Sequence, residues 1–126
     1  MIPDETTPRL RALRGATTVD VDTSEAIRER TAELVTALLE RNALAIDDIV
    51  SVVFTATRDL TADFPAVAAR SVGLASTPLL CSQEIPVVGA VERCVRALVH
   101  CYLPQGRASH HVYLHGARQL RLDLPE

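Results

Sequence analysis

The strongest constraint on the fold comes from one segment, residues 49–55, with the sequence IVSVVFT. Apart from Ser51 it is apolar or β-branched throughout. Such residues favour strands, and a nearly unbroken apolar run is typical of a strand buried on both faces. The segment therefore predicts an inner strand of a sheet.

The preceding part of the chain predicts a strand followed by a helix. Arg9 and Arg11 alternate with Leu10 and Ala12, which indicates a strand. Continued alternation puts Arg14 on an otherwise apolar face, where a buried charge needs a partner. Asp22 followed by Glu25 resembles a capping box, and helical spacing of apolar residues then continues to about Asn42.

The second half of the chain predicts a helix, a strand, another helix and a hairpin. Phe64 and Pro65 begin the first of these helices and Gly73 ends it. Residues 77–81 are predicted as a strand, residues 90–102 as a helix from their apolar spacing, and residues 112–124 as a hairpin. We therefore expect an α/β (α+β) fold with a mixed sheet of about five strands and three helices. One domain would span residues 1–126, with 1–8 as a loose extension.

Composition excludes several classes of function. The chain has 126 residues, a formal net charge of −3 and no Trp, which argues against a nucleic-acid partner. No apolar run approaches the ~20 residues of a membrane span, and the polar start does not resemble a signal peptide. Three cysteines without a C-x-x-C motif argue against a disulfide framework. The expected location is the cytoplasm.

A cluster of polar residues marks residues 79–96 as a candidate site. Cys81, Gln83 and Glu84 lie at the end of a predicted strand, and Arg96 lies on the segment that follows. Open α/β folds bind ligands at the carboxyl ends of strands, so this segment predicts a site for a small anionic molecule.

The histidine and cysteine residues suggest two other chemistries. His111 and His115 lie on a predicted strand, where four residues span ~13 Å, too far for two ligands of one zinc ion. Cys81 as a nucleophile requires a histidine base, and His110 or His111 could supply one only through the tertiary structure.

Six motifs in order resemble one known family. They are R-x-x-R-G-A-T-T-V (11–19), A-T-x-D-L (56–60), F-P-A-x-x-x-R (64–70), C-x-Q-E (81–84), C-x-R (94–96) and H-V-Y-L…L-R-x-D-L (111–124). Together they resemble the monofunctional, trimeric α/β class of chorismate mutases. The resemblance implies conversion of chorismate to prephenate in aromatic amino-acid biosynthesis. It also implies a homotrimer that forms a pseudo α/β-barrel, with active sites between subunits.

The resemblance also assigns the main site residues. Arg96 would donate hydrogen bonds to the breaking ether oxygen and to a carboxylate. Arg14 and Tyr113 would hold the side-chain carboxylate, while Cys81 and Glu84 would bind the ring hydroxyl. Because the rearrangement is pericyclic, no acid, base, nucleophile, metal or cofactor is expected.

The remaining residues would form the wall and mouth of the site. Phe64 and Ala66 are implied as an apolar wall, and Arg70 and Arg121 as cations that attract the dianion. The substrate chorismate and identical subunits are the only partners expected.

Two positions depart from the family pattern. Val67 stands where the family commonly has a Lys, so Arg58 or Arg70 would have to compensate. Leu79 and Leu80 stand where Val-Thr is more familiar, a difference that matters little if the backbone makes the contact.

Two other functions remain as alternatives. One is a non-catalytic trimeric protein that senses a small anionic metabolite. The other is a hydrolase that uses Cys81 as its nucleophile.

Overall fold

The computed structural model describes residues 4–121, without the side chain of Arg121. Its strands are β1 (Pro8–Thr18), β2 (Ile49–Ala56), β3 (Leu79–Gln83), β4 (Cys94–Pro104) and β5 (Val112–Tyr113). They form one sheet in the order β3-β2-β4-β1-β5. β4 is antiparallel to both of its neighbours, and each edge strand is parallel to the strand beside it. The predicted mixed sheet of about five strands is confirmed.

The first helix, α1 (Ser24–Arg41), confirms the predicted helical spacing and ends at the C-cap Asn42. Its N-cap is Thr23, whose extended backbone lets the side-chain oxygen accept a hydrogen bond from the Ala26 N–H at 3.2 Å. The capping box predicted from Asp22 is therefore wrong. Asp22 lies one residue too early, and its carboxylate instead accepts hydrogen bonds from the N–H and hydroxyl of Thr61.

The remaining helical segments are short. The helix α2 (Pro65–Ala69) begins with proline in its first turn, as predicted. A wide turn, Arg70–Leu74, follows, and helical geometry is lost at Val72 and at Gly73, whose φ is 114°. One 3-10 helix covers Ile46–Asp48, and another covers His115–Arg121. No helix among the described residues has both the length and the apolar character needed to cross a membrane.

Residues 94–104 form β4, so the helix predicted over residues 90–102 is wrong. From Val95 onward every second residue of β4 is buried, whereas Leu98 and Tyr102 on the other side are exposed. A strand with apolar side chains on both faces loses the period of two. Its apolar residues then also match helical spacing.

The predicted hairpin over residues 112–124 is also wrong within the described residues. β5 contains only Val112 and Tyr113, and a 3-10 helix follows directly. Leu120, predicted as a strand residue, lies in that helix. Leu122 and Leu124 lie outside the described residues.

The two faces of the sheet differ in their surroundings. On one face Leu13, Val52 and Phe54 pack with α1 and α2 in the main core. The opposite face, which we call the open face, carries Val53 with an intermediate exposure. The prediction that residues 49–55 are buried on both faces is therefore wrong for the described chain. The open face also exposes several large apolar side chains, namely Leu10, Leu80, Leu98 and Tyr102.

Candidate active site

Strand register brings three of the predicted site residues to the open face. Arg96 on β4 pairs with Ala16 on β1, which in turn pairs with Tyr113 on β5. Arg14 lies two residues before Ala16 and pairs with Leu98. Paired residues on neighbouring strands share a face, and residues two apart along a strand do so as well. Arg14, Arg96 and Tyr113 therefore point to the same side of the sheet.

These three side chains line one cleft of about 370 Å³. Its floor is the open face, and its end is bounded by the 3-10 helix His115–Arg121. The Gly116 N–H in that helix donates to the Thr18 hydroxyl at 2.9 Å, which ties the helix to the end of β1. The other lining residues are Gly15, Ala16, Val53, Thr55, Ala97, Leu98 and Leu120. The cleft thus combines two guanidinium groups with an apolar floor.

Glu84 is the carboxylate that faces Arg96. The Arg96 Nε lies 3.5 Å from the Glu84 Oε1, and the two side chains are 42% and 25% exposed. The backbone fixes Glu84 independently, because its N–H donates to the Ala56 carbonyl at 2.9 Å. Such a pair holds the guanidinium at the sheet without burying its charge completely. We treat it as an orienting contact, since partly exposed ion pairs contribute little to stability.

Two neighbouring polar atoms in this cleft have no hydrogen-bond partner among the described residues. They are the Nε of Arg96 and the Oγ1 of Thr55, its partner on β2. Most buried polar atoms in folded proteins are hydrogen-bonded, and exceptions require an explanation. The Arg96 Nε faces the Glu84 Oε1, but at 3.5 Å the two atoms are too far apart for a hydrogen bond. Sequence reasoning missed Thr55, because its position opposite Arg96 depends on strand register.

Cys81 lies on the other face of the sheet. It pairs with Phe54, which pairs with Ala97, and its half-buried side chain packs against the main core. Leu79 packs there too, whereas Leu80 between them is 62% exposed and points to the open face. The Cys81 thiol is therefore directed away from the open face.

A second cleft, of about 400 Å³, lies between the 57–64 loop and the end of β3. Its lining includes Arg58, Cys81 and Phe64, and the Phe64 side chain is 69% exposed. The loop is held to the start of α1 because Asp22 accepts from Thr61, and Asp63 accepts from the Ser24 hydroxyl and from the Arg28 Nε at 2.6 Å. Hydrogen bonds lower the pKa of both carboxyl groups, chiefly the one from the Thr61 hydroxyl to Asp22 and the one from the Ser24 hydroxyl to Asp63.

The two clefts divide the predicted site into two groups. Arg14, Arg96 and Tyr113 line the open-face cleft, whereas Phe64 and Cys81 line the second. Glu84 contacts Arg96, and the two side chains together line a third cleft of about 300 Å³.

Two further predicted residues lie outside both clefts. Ala66 is only 6% exposed and packs in the core, so its side chain does not form the expected wall. Arg70 is exposed at the end of α2 and lines neither cleft. The role expected for the side chain of Arg121 falls outside the described residues.

Leu120, which bounds the first cleft, was missed as a site residue. Its only signal was an alternation with Gln119 and Arg121 that suggested a strand.

The histidine and cysteine side chains differ in their surroundings, and Cys94 is buried with Ala16 and Tyr113 beside the open-face cleft. The His111 Nδ1 accepts a hydrogen bond from the Arg14 N–H, while the His115 Nε2 lies 2.7 Å from Glu33. Burial raises the pKa of the Cys94 and Cys101 thiols, which keeps them protonated at neutral pH. No group of three potential metal ligands occurs among the described residues.

Fold and cleft together define a small α/β protein with an arginine-lined cleft on the open face of its sheet. The sequence model of the chorismate mutase type I family matches residues 10–124. This chain therefore belongs to the type I chorismate mutase family, and it is an isomerase.

Similar proteins agree with this membership along nearly the whole chain. A chorismate mutase AroH of Thermus thermophilus is 46% identical over 118 residues, which cover 91% of this chain and 96% of the relative. The AroH of Bacillus subtilis is 40% identical over 118 residues, covering 91% and 92%. A solved chorismate mutase from Clostridium thermocellum has a TM-score of 0.80 and 43% identity, and covers 86% of this chain and 98% of that one.

Proposed function

We propose that this chorismate mutase converts chorismate to prephenate in the open-face cleft, with Arg96 as the main catalytic residue. The observation that carries this proposal is the convergence of Arg14, Arg96 and Tyr113 on one cleft. Chorismate is a dianion, and two guanidinium groups over an apolar floor suit its carboxylates and its ring. A cleft of about 370 Å³ falls within the usual size of small-ligand sites.

The reaction needs a preorganised environment rather than a chemical reagent. In the Claisen rearrangement the ether C–O bond breaks while a C–C bond forms between the enolpyruvyl methylene and the ring. No proton, electron or co-reactant is exchanged. The protein must hold the compact conformer and stabilise the negative charge that develops on the ether oxygen. A guanidinium directed at that oxygen supplies the charge stabilisation.

Magnitudes show that Arg96 is one of several contributions. Even a modest enzymatic acceleration of ~10⁶-fold requires about 8 kcal/mol of barrier reduction. Losing one preorganised donor to a developing anion typically costs about 3–4 kcal/mol. Restriction of chorismate to the reactive conformer by Arg14 and Tyr113 would contribute much of the remainder.

Glu84 and the Cys81 backbone are proposed to bind the ring hydroxyl. The Arg96 Nε lies 3.5 Å from one carboxylate oxygen of Glu84, which leaves the other oxygen as an acceptor. This arrangement places a hydroxyl acceptor beside the cation that binds the ether oxygen. Glu84 thereby orients both Arg96 and the substrate.

A homotrimer with sites between subunits is the second part of the proposal. The open face leaves large apolar side chains uncovered in one chain, among them Leu10 (54% exposed), Leu80 (62%) and Tyr102 (45%). An uncovered patch of this kind usually marks an interface. The cleft that contains Phe64 is separate from the Arg96 cleft of the same chain. A neighbouring subunit could therefore bring its Phe64 to this Arg96.

The mouth of the site is proposed to contain Arg58, Arg70 and Arg121. Val67 stands in place of the family's Lys, and Arg58 lines the same cleft as Phe64. Arg58 is therefore better supported than Arg70 as the compensating cation. A cytoplasmic location is also proposed, and the three free cysteines support it.

The test compares wild type with Arg96→Ala, Arg96→Lys and a matched control, Arg9→Ala. Arg9 is exposed and lies on β1, the strand that carries Arg14, but lines neither cleft. Loss of chorismate absorbance would be followed at saturating and subsaturating substrate. We expect Arg96→Ala to lower kcat about 10²- to 10³-fold with a much smaller change in KM. Arg96→Lys keeps the charge without the planar fork and should fall in between.

Other outcomes would select the alternatives. An Arg96→Ala variant with wild-type kcat would refute the catalytic role of Arg96. A wild-type chain that binds chorismate without turnover would favour the metabolite sensor. Near-normal turnover by Cys81→Ser would exclude Cys81 as a nucleophile.

A separate experiment tests whether two neighbouring subunits contribute residues to the same active site. Arg96→Ala and Phe64→Ala chains would be mixed under denaturing conditions and refolded together. If the sites lie between subunits, the mixture should regain activity. Some interfaces would then combine the intact Arg96 of one chain with the intact Phe64 of its neighbour. Activity no higher than the sum of the separate variants would contradict shared sites.

A further inference from the structure

Arg14 and Tyr113, which are proposed to hold the substrate carboxylate, lie on β1 and β5. These two strands are joined by a very short ladder. β5 pairs with β1 only through Gly15–Val112 and Ala16–Tyr113. One further backbone bond, from the Leu114 N–H to the Ala16 carbonyl at 2.9 Å, continues this contact past Tyr113. A ladder this short fixes the position of Tyr113 relative to Arg14 only weakly.

At the other end of this β1–β5 ladder, just before Val112, the side chain of His111 adds one more hydrogen bond to β1. The Arg14 N–H donates to the Nδ1 of His111 at 2.9 Å. Arg14 and Ala16 are two residues apart, so their backbone groups point to the same edge of β1. β5 begins only at Val112, so the imidazole nitrogen of His111 takes the place of a strand carbonyl.

The segment before His111 is itself anchored in the protein interior. The His110 N–H donates to the Asn42 Oδ1 at 2.7 Å, and the Asn42 Nδ2 donates to the His110 carbonyl at 2.9 Å. Asn42 is 1% exposed and caps the C-terminus of α1. The backbone next to His111 is therefore fixed to a buried group, which limits how far the imidazole can move.

We propose that His111 is a positioning residue for the reaction. By accepting the Arg14 N–H it sets the spacing between Arg14 and Tyr113, and hence the grip on the side-chain carboxylate of the substrate. The ring must present an unprotonated Nδ1, so its neutral form carries the proton on Nε2. The inference rests on the proposed function, because it assigns a consequence to groups that bind chorismate.

Three variants isolate the acceptor. His111→Ala removes it, whereas His111→Asn keeps an oxygen close to the position of Nδ1. His110→Ala is the matched control, because among the described residues His110 is bonded through its backbone and not its ring. We expect His111→Ala to lower kcat/KM about threefold to tenfold, mainly through a higher KM, as for the loss of one hydrogen bond. His111→Asn should recover most of this loss, and His110→Ala should match wild type.

Nitrogen-15 NMR gives a readout that does not depend on turnover. We expect the Nδ1 of His111 to show the shift of an unprotonated nitrogen in the neutral ring. The Arg14 amide should exchange faster in His111→Ala than in wild type and more slowly again in His111→Asn.

Several results would overturn the inference. They are a proton on Nδ1 of the neutral ring, an unchanged KM and Arg14 exchange rate in His111→Ala, or a His111→Asn variant as impaired as His111→Ala. Each of these with an active wild type would leave the proposed function intact. A wild-type chain without chorismate turnover would instead overturn the proposed function and this inference with it.

Discussion

Replacing Asn42 with Asp changes one amide nitrogen to an oxygen at a buried position. The Asn42 Nδ2 donates to the carbonyls of Leu38 and His110, both at 2.9 Å, while Oδ1 accepts from the His110 N–H. An ionised aspartate would turn a negatively charged oxygen toward two carbonyl oxygens at the negative end of α1. Asn42→Asp should therefore be strongly destabilising at neutral pH, despite its nearly identical shape.

The magnitude follows from the proton that the buried group must take up. Raising the pKa of an aspartate from ~3.9 to above 7 costs about 4 kcal/mol, at ~1.4 kcal/mol per pH unit. The protonated acid donates one hydrogen bond instead of two, which costs about 1 kcal/mol more. The total of about 5 kcal/mol compares with ~5–15 kcal/mol for the entire stability of a typical domain.

The sign of the pH dependence distinguishes this mechanism from simple damage. The folded pKa of the new carboxyl is raised, so the protonated group is compatible with folding at low pH. The penalty then grows as pH rises from the unfolded pKa toward the folded one. Between pH 5 and pH 7 the stability difference between Asn42→Asp and wild type should widen by about 2.7 kcal/mol. Asn42→Ala has no titrating group and should show a constant penalty.

Urea unfolding at pH 5 and pH 7 would measure this difference. Protein concentration must be equal throughout, because the stability of an oligomer depends on it. A difference between Asn42→Asp and wild type that stays constant over this interval would refute the reasoning. The reasoning would also be refuted if the difference in stability between Asn42→Ala and wild type widened equally from pH 5 to pH 7.

Two further predictions concern the packing of β1 and the acid side of the stability profile. A methyl group added at Gly15 would lie 2.9 Å from the Leu38 Cδ1, closer than the ~3.5 Å that carbon contacts allow, so Gly15→Ala should lose about 1–3 kcal/mol in urea unfolding. An unchanged free energy of unfolding in Gly15→Ala would contradict this prediction, because it would mean that α1 shifts to accommodate the methyl group without cost. Hydrogen bonds from Ser24 and Arg28 lower the pKa of Asp63, so its contribution exists above the unfolded pKa of ~3.9 and is lost as pH falls. Thermal scans from pH 5 to pH 3 should show a smaller loss for Asp63→Asn than for wild type, and equal losses would contradict this.

Local sequence patterns were sufficient to predict a helix where one of its faces is buried and the other is solvated. The spacing of Ile27, Leu34 and Leu38 predicted α1, and Pro65 marked the start of α2. The N-cap differed from expectation because Asp22 and Thr23 are both good capping residues. The backbone conformation that selects Thr23 depends on contacts with the 57–64 loop.

β4 shows why periodicity failed elsewhere. It carries apolar residues on the core side and also on the open face, such as Leu98 and Tyr102. If another subunit covers the open face, both sides of β4 face protein and no period of two remains in its sequence. The β-branched residues Val95 and Val99 were the overlooked strand signal.

The candidate site depended on register more than on motifs. The position of Arg96 opposite Thr55 and Ala16 follows from two strand pairings separated by tens of residues along the chain. The resemblance to a family supplied Arg14, Arg96 and Tyr113. Neither it nor the residue pattern indicated that the Cys81 side chain packs on the core side or that Ala66 is buried.

The position of β4 at the centre of the sheet has a consequence for how the protein loses activity. Arg96 lies on an 11-residue strand that is hydrogen-bonded on both sides, whereas Tyr113 lies on a two-residue strand at one edge. Local opening begins where few hydrogen bonds must break, so the edge frays while the centre stays folded. Warming would therefore free Tyr113 first and leave Arg96 in place. With the roles proposed above for Tyr113 and Arg96, the enzyme would lose affinity for its substrate at temperatures where its chemistry and most of its structure persist.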